Sequence, residues 1–232
     1  MALYKYLPSQ YADAFLRGEI LFRNLSYFKR LDCKNRGDAT EGIHRDRPEA
    51  GATLENLSTG GTVYGDFTSL NEIDSDLVFV FCTAEILDQT LFHDFEVDCC
   101  IEINNPEEFA KRIQRKVMSL VSSKKSIGLL RGPAIYYDPG KRAEFDVKNP
   151  TKIAFAKDIS YAYQKEFRFA FGKGKESFCI DRTKMKIVIS KFYDFQEEAK
   201  SSTGAEKKLV IGSIKDIARI HPESPCCNKY CT

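Results

Sequence analysis

Residues 163–171, which contain a predicted strand from Glu166 to Phe171, are Tyr163-Gln164-Lys165-Glu166-Phe167-Arg168-Phe169-Ala170-Phe171. Successive side chains of a β-strand point to opposite faces, so the three phenylalanines share one face and Glu166 and Arg168 share the other. Burial of each phenyl ring contributes on the order of 1.5–3 kcal/mol and would hold the strand in the core. The opposite face then presents a carboxylate and a guanidinium on a rigid support, as a functional site requires. The competing interpretation is a solvent-facing stripe of salt bridges, typical of a half-exposed antiparallel strand.

The sequence around this stretch predicts further strands and helices. The nearly all-apolar run 77–82 indicates a strand covered on both faces. Other strands are expected at 3–7, 19–25, 99–103, 134–137, 185–190 and 209–211. Helices are expected from Pro8 to the stop signal at Gly18, over 156–163, and from Asn105 to Val121, where apolar residues recur at helical spacing.

The stretch 32–76 lacks hydrophobic periodicity and is rich in Gly, Asp, Asn, Thr and Ser. We expect it to be a functional lid or a disordered insertion. Strands and helices elsewhere alternate irregularly, without a repeating βαβ rhythm. The expected class is therefore α+β with mostly antiparallel pairing.

Composition and charge exclude several classes of protein. The 232 residues are 43% hydrophobic, with 17 Phe and 11 Tyr, which indicates a globular protein. No run approaches the ~20 apolar residues of a membrane span, and the first residues lack the apolar region of a signal peptide. We therefore expect a cytoplasmic protein with no membrane contact, whose eight cysteines are reduced thiols. A net charge of +2 excludes a strongly basic nucleic-acid coat but leaves room for a local basic groove.

The N-terminal strands carry a second candidate set. Tyr4 and Tyr6 share a face of the first strand and Lys5 lies on the other. Residues 22–28 follow at a strand-to-turn transition, where polar groups can be directed at a ligand. Aromatic rings with a few polar donors suit a planar heterocycle. Alternatively, the tyrosines are amphipathic residues at the edge of the core.

Two other stretches are candidate sites. In 36–42, charged residues between two glycines predict a polar turn that closes over an anionic ligand, or else a solvated loop. At the C-terminus, four soft ligands could hold zinc, but they lack a Cys-x2-Cys pair, so we expect no metal site and a mobile tail with free thiols. These four are His221, Cys226, Cys227 and Cys231. No Rossmann, P-loop or nucleophile-elbow motif is readable.

Three motifs, taken at their spacing, resemble a known family. They are the opening Leu3-Tyr4-Lys5-Tyr6, the strand Ile20-Leu21-Phe22-Arg23 that leads to Phe28, and Tyr163-x-x-Glu166-x-Arg168. Together they resemble a domain-of-unknown-function family of bacteria and phages and, more loosely, the AbiGi-type abortive-infection proteins. Both look related to the ADP-ribosyltransferase superfamily. The chain departs from the family at Lys29-Arg30-Leu31, where an Asn-Asp-Pro turn is usual, and it lacks a family Trp whose place Phe92 would take.

The resemblance implies two small, mostly antiparallel sheets with flanking helices and, between the sheets, a cleft that holds NAD as substrate. Residues 1–220 would form this single ADP-ribosyltransferase-like domain, with the irregular insertion at 32–76, and residues 221–232 a Cys-rich C-terminal tail. Glu166 would be catalytic, because a fixed anion stabilises the oxocarbenium-like cation that C–N cleavage creates. The implied NAD-binding residues are Lys5, Tyr6, Arg23, Ser26, Tyr27, Phe28 and Arg168.

Their implied roles differ. Arg168 would hold Glu166 or a phosphate. Tyr6, Tyr27 or Phe28 would pack against the nicotinamide. Lys5 or Arg23 would reach the pyrophosphate as charge-assisted donors.

The expected function is that of an NAD-dependent ADP-ribosyltransferase or NAD glycohydrolase, a toxin-like effector in phage–host conflict. Its expected partners are an acceptor protein or nucleic acid and an inhibitory partner protein. The alternative is a non-catalytic nucleotide- or nucleic-acid-binding module on the same fold. Nucleic acid would then contact the basic helix face at 112–116 and the pair Lys124-Lys125.

Overall fold

The computed structural model describes residues 1–31, 37–120, 128–141, 143–189, 193–195, 204–221 and 224. Strands dominate this part of the chain. They are β1 (Leu3–Leu7), β2 (Glu19–Asn24), β3 (Ile43–Asp46), β4 (Ala52–Glu55), β5 (Thr62–Gly65), β6 (Phe67–Glu72), β7 (Val78–Ala84), β8 (Cys99–Ile103), β9 (Leu130–Pro133), β10 (Ile135–Tyr137), β11 (Ala156–Asp158), β12 (Glu166–Gly172), β13 (Lys184–Ile189), β14 (Glu206–Val210) and β15 (Ala218–Ile220).

The helices are fewer and mostly short. They are α1 (Ala12–Leu16), α2 (Leu25–Lys29), α3 (Gln89–Asp94), α4 (Pro106–Leu120) and α5 (Pro150–Phe155), with short 3-10 helices at Ser9–Tyr11, Ile159–Gln164, Lys175–Phe178 and Ile180–Arg182. All pairings between the described strands are antiparallel except β10 with β11. The α+β class with several antiparallel sheets is confirmed.

The main sheet has eight strands, and β7 lies at its centre. The order β14-β2-β7-β1-β8-β15 forms one path, and β12 pairs with β7 and carries β9. Strand β12 covers one edge of β7 along its whole length, from Gly172 opposite Val78 to Glu166 opposite Ala84.

The other edge of β7 is shared by two strands. Strand β2 pairs with it only at Phe79 and Val80, and β1 pairs only at Ala84. Within the described part of the chain, residues 81–83 therefore have no ladder partner on this edge. We call the gap between β1 and β2, beside residues 81–83, the fork.

One face of the main sheet packs on α1 and α4. Phe169 is buried there against Phe81 and Phe109, and Phe171 against Phe79, as the alternation of β12 predicts, whereas Phe167 is only partly buried. Helix α4 buries its apolar stripe and exposes its charged face, also as predicted. Gly18 ends α1 at φ +89°, where a Cβ would lie 1.8 Å from the Gly212 carbonyl oxygen. Only glycine fits this approach.

The expectation for 32–76 is wrong for the described residues 37–76, which contain strands β3 to β6. Strands β3, β6 and β13 form a three-stranded sheet, and β4 with β5 forms a hairpin. The sequence concealed these strands because β3, β4 and β5 are each four residues long, and β5 is almost entirely exposed, so it has no apolar alternation.

The helix expected over 156–163 is also wrong. Helix α5 lies just before this segment, from Pro150 to Phe155. The Asn149 side chain caps its N-terminus by accepting from the Thr151 backbone N–H at 3.0 Å. The chain then extends into β11 and closes in the 3-10 turn Ile159–Gln164. In the described residues no helix combines the length and apolarity needed to cross a membrane.

Candidate functional site

A cleft of about 690 Å³ opens at the fork. This volume lies in the range of small-molecule sites. Tyr4, Tyr11, Tyr27 and Phe28 line it with aromatic rings. Side chains of both charges also line the cleft. The cationic ones are Lys5, Arg23, Lys157, Arg168 and Lys208, and the anionic ones are Glu19, Glu41, Glu166 and Glu206.

The carboxylate of Glu166 is held at both oxygens in the wall of this cleft. Arg168 Nε donates to Oε1 at 2.5 Å, and Lys157 Nζ donates to Oε2 at 2.5 Å. The Glu166 backbone N–H donates to the Tyr136 hydroxyl at 2.8 Å. Glu166 is 6% exposed and Arg168 is 1% exposed. The interpretation of this face as a solvent-facing stripe is therefore wrong.

The guanidinium of Arg168 is fixed by three groups. Nη1 and Nη2 donate to the two oxygens of Glu41 at 3.0 and 2.7 Å, and Nη1 also donates to the Ala154 carbonyl at 2.8 Å. With Nε on Glu166, four of the five guanidinium donors are used. Of the two roles predicted for Arg168, this geometry favours holding Glu166 over contacting a phosphate.

Two members of this network, Glu41 and Lys157, were missed from the sequence. Glu41 lies in 36–42, which was expected to close over an anion or to be solvated; instead Glu41 is 4% exposed, while Arg36 lies outside the described residues. Lys157 lies in β11, where a helix was expected, and its Nζ also donates to Gln164 Oε1 at 3.0 Å. Only the density of charge in 36–42 signalled Glu41, and nothing in the sequence signalled Lys157.

The network fixes the charge of Glu166 and Lys157. Burial opposes ionisation of Glu166, but Arg168 and Lys157 outweigh it and hold the pKa of this carboxyl well below its usual range. Burial likewise opposes the charge of Lys157, but Glu166 and Glu41 raise its pKa. For Glu41, burial prevails over Arg168 and raises the pKa. Glu166 is thus an anion at neutral pH.

Lys5 differs from the other cleft cations. Its Nζ donates to the Cys82 carbonyl on the unpaired edge of β7, at 2.9 Å, and lies 4.6 Å from the centroid of the Phe81 ring. No carboxylate of the described residues forms a salt bridge with it. Burial lowers the pKa of this ammonium. By contrast, Arg23 pairs with Glu206 at 2.9 Å and lies 3.9 Å from the centroid of the Tyr27 ring.

Of the remaining predicted binding residues, some line the cleft and others lie in the core. Tyr27 and Phe28 line the cleft. Tyr6 also lines it, but its hydroxyl accepts from the Asp88 backbone N–H at 2.7 Å and its ring packs on Phe92 at 5.0 Å, so it is part of the core. Ser26 is 2% exposed and is absent from the cleft wall in the described chain, which corrects its predicted role.

The described residues offer little support for a metal site or for a nucleic-acid interface. These residues contain no group of three or more His, Cys, Asp or Glu placed to hold a metal ion, and the three C-terminal cysteines lie outside them. On α4, Arg112 pairs with Glu108 and Asp216, and Arg115 pairs with Glu108. Lys124 and Lys125 lie outside the described residues. Much of the expected basic face is thus neutralised by neighbouring carboxylates.

No protein-family model, curated protein or solved structure matches the chain. The geometry of the fork is therefore the basis for a function.

Proposed function

We propose that the fork binds NAD and that the chain cleaves the bond between nicotinamide and ribose, as an NAD-dependent ADP-ribosyltransferase or NAD glycohydrolase. One observation carries the proposal: an ionised carboxylate, fixed at both oxygens, lies in the wall of a cleft that also offers aromatic rings and an ammonium with no carboxylate partner in the described part of the chain. An ADP-ribosyltransferase-like fold and a toxin-like role in phage–host conflict belong to the same proposal.

Glu166 is the group that would act on the reacting bond. Cleavage releases neutral nicotinamide and leaves positive charge on the ribose carbon and ring oxygen, which a fixed anion in a partly dry cleft stabilises. Each carboxylate oxygen has two acceptor positions, so Glu166 can also accept from a ribose hydroxyl while it keeps Arg168 and Lys157. A water or an acceptor nucleophile then bonds to the ribose carbon and loses its proton.

Lys5 is the stronger candidate for the pyrophosphate. Lys5 is partly buried, a position in which an ammonium without a counter-ion is unfavourable, and a phosphate would supply the missing negative charge and a charge-assisted hydrogen bond. Arg23 already has Glu206 and would have to exchange partners. Tyr27 and Phe28 offer ring faces and edges to the nicotinamide, with their own centroids 5.4 Å apart.

The test is nicotinamide release from NAD labelled in either half, with and without bacterial protein and RNA as acceptors. We expect release by the wild-type protein and a loss of about 10²–10³-fold in Glu166→Gln, the cost of removing one preorganised electrostatic contact. Glu102→Gln is the matched control, since Glu102 also lies in a strand and pairs with an arginine, Arg219, but outside the cleft. A folded Glu166→Gln protein with wild-type release would refute the mechanism.

A second function is favoured by one observation. Glu166 and Glu41 are balanced by Lys157 and Arg168, as in a network that only supports structure. The chain would then be a non-catalytic nucleotide-binding module. NAD would raise the unfolding temperature, and no nicotinamide would be released under any acceptor condition.

The partners follow from which activity is found. A transferase requires an acceptor protein or nucleic acid, whereas a glycohydrolase requires only water. An inhibitory partner protein is part of the toxin-like proposal, because a cell that makes an NAD-consuming toxin must restrain it. Label transferred to the protein or RNA fraction would separate transferase from glycohydrolase.

A further inference from the structure

Glu41 reaches the cleft from a part of the chain that does not belong to the main sheet. It lies directly before Gly42 and β3, and 127 residues separate it from its partner Arg168. Its side chain is 5% exposed and both of its oxygens accept from the guanidinium. Such two-point pairing of arginine with a carboxylate fixes the plane of the guanidinium as well as its position.

This pairing limits what Arg168 can do to Glu166. Both N–H groups of Nη1 and one of Nη2 are held by Glu41 and the Ala154 carbonyl, so Nε is the guanidinium nitrogen that contacts Glu166. Glu41 also supplies the counter-charge of Arg168. Without Glu41, the guanidinium could turn its two-nitrogen face to Glu166 and neutralise the charge that would stabilise a ribosyl cation.

We propose that Glu41 is a positioning residue. By holding the terminal nitrogens of Arg168, it limits Arg168 to one hydrogen bond with Glu166, and the negatively charged carboxylate of Glu166 stays oriented toward the cleft. The catalytic consequence of this role rests on the proposed function. The structural consequence does not, so the two can be tested apart.

The structural consequence is read from the Nε–H resonance of Arg168 by ¹⁵N NMR, assigned by its loss in Arg168→Lys. In the wild-type protein this proton is hydrogen-bonded to a buried carboxylate, so its exchange with water is slow. We expect Glu41→Gln to shift the resonance and to accelerate exchange about tenfold or more. Glu72→Gln, which removes the partner of buried Lys29 instead, should leave the resonance unchanged. An unchanged resonance in folded Glu41→Gln would overturn the inference.

The catalytic consequence is read from the kinetics of nicotinamide release. Glu41→Gln should lower kcat roughly 10- to 100-fold, the scale of a small misplacement of a reacting group, with KM for NAD within about twofold. An increase in KM with kcat unchanged would show that Glu41 binds substrate and would contradict positioning.

The positioning role can still be tested if the wild-type protein is inactive or if Glu41→Gln does not fold. If wild-type protein releases no nicotinamide, the proposed function fails and the NMR experiment alone decides the positioning role. If Glu41→Gln does not fold, Glu41→Asp replaces it, because it keeps the charge and shortens the side chain by one methylene. A wild-type Nε–H resonance and wild-type kcat in Glu41→Asp would then overturn the inference.

Discussion

Among the charged residues that line the cleft, four pair with one another in a buried network, whereas Lys5 has no carboxylate partner among the described residues. Glu41, Glu166, Lys157 and Arg168 are all buried and pair among themselves. Buried charges are costly unless they are paired and hydrogen-bonded, which this group is. Within the described residues, the ammonium of Lys5 donates to the Cys82 carbonyl and lies over the face of the Phe81 ring, without a salt bridge. A perturbed, incompletely compensated cation in a cleft is a sign of a ligand site.

The first prediction concerns Lys5. Lys5→Met should keep the stability of the free protein, because it removes a desolvated ammonium and retains an apolar stem of similar length. NAD affinity should fall roughly 10-fold or more, the worth of a hydrogen bond to a charged group at about 1.5–3 kcal/mol. Isothermal titration calorimetry measures the affinity. Lys184→Met, on exposed β13, is the control and should bind NAD normally. Equal affinity in Lys5→Met would exclude Lys5 as the phosphate contact.

The second prediction concerns His44 and pH. His44 is 1% exposed, neither ring nitrogen has a hydrogen-bond partner among the described residues, and the Tyr137 and Phe145 rings lie 4.6 and 5.2 Å away. Burial, with a smaller effect of Arg45, lowers the pKa of His44 from 6.5 to about 4. Between these values the unfolded chain binds a proton that the folded chain excludes. Stability is therefore lost as the pH falls from 6.5 towards 4, by up to about 3 kcal/mol.

The comparison that isolates this effect is His44→Phe, which keeps an aromatic ring in the same cage. Denaturant unfolding at several pH values should show the wild type losing stability relative to His44→Phe below pH 6.5, with no such divergence above it. His93→Phe is the control, because the His93 side chain is 94% exposed. Parallel pH curves for wild type and His44→Phe would contradict the prediction.

At the scale of elements, predictability followed the strength of the local pattern. Strand β12 and helix α4 carry long, clean periodicities, and the structure has both where the sequence placed them. Strands β3 to β5 are short, and their place is set by the partner strand rather than by their own pattern. The helix predicted over 156–163 is wrong because α5 ends at Phe155 and the chain then becomes extended to pair with β10.

The same division applies to the site. Glu166 and Arg168 were predicted together because they share one face of a strand that the phenylalanines anchor. Glu41 and Lys157 reach them only through the packing of separate elements, with sequence separations of 127 and 9 residues. A single sequence contains no signal for such a contact, so the network could be completed only from the structure.

The third prediction concerns Gly42, which leads from Glu41 into β3. Its φ of +73° is unfavourable for other residues, and a Cβ would lie 2.6 Å from Ser75 Oγ and 3.3 Å from Leu25 Cδ1. We expect Gly42→Ala to destabilise the protein by roughly 1–3 kcal/mol. Chemical denaturation measures this cost. Gly174→Ala is the control, since its backbone is extended at φ −165° and a Cβ there meets nothing within 4 Å. Equal stability of the two variants would contradict the strain assigned to Gly42.

At the scale of the molecule, the fork joins two parts that fold from different stretches of the chain. The main sheet contributes β1, β2, β7 and β12, while Glu41 and Lys157 come from segments that pack beside the sheet β3-β6-β13. The cleft exists because β1 and β2 diverge from one edge of β7, and its charge exists because the neighbouring segments supply half of the ion network. Substitutions that destabilise either part should therefore alter the same cleft.

The last prediction locates ligand binding on the whole molecule by hydrogen–deuterium exchange. The inner edges of β1 and β2, at residues 5–7 and 19–22, face the fork and are unpaired with β7 in the described structure. NAD bound there should slow exchange in peptides that cover β1, β2 and the start of β12, because a bound ligand raises the free energy of local opening. The hairpin of β4 and β5 lies outside the cleft lining and serves as the internal control. Protection confined to α4 would instead assign binding to its basic face, and the fork would lose its role as the NAD site.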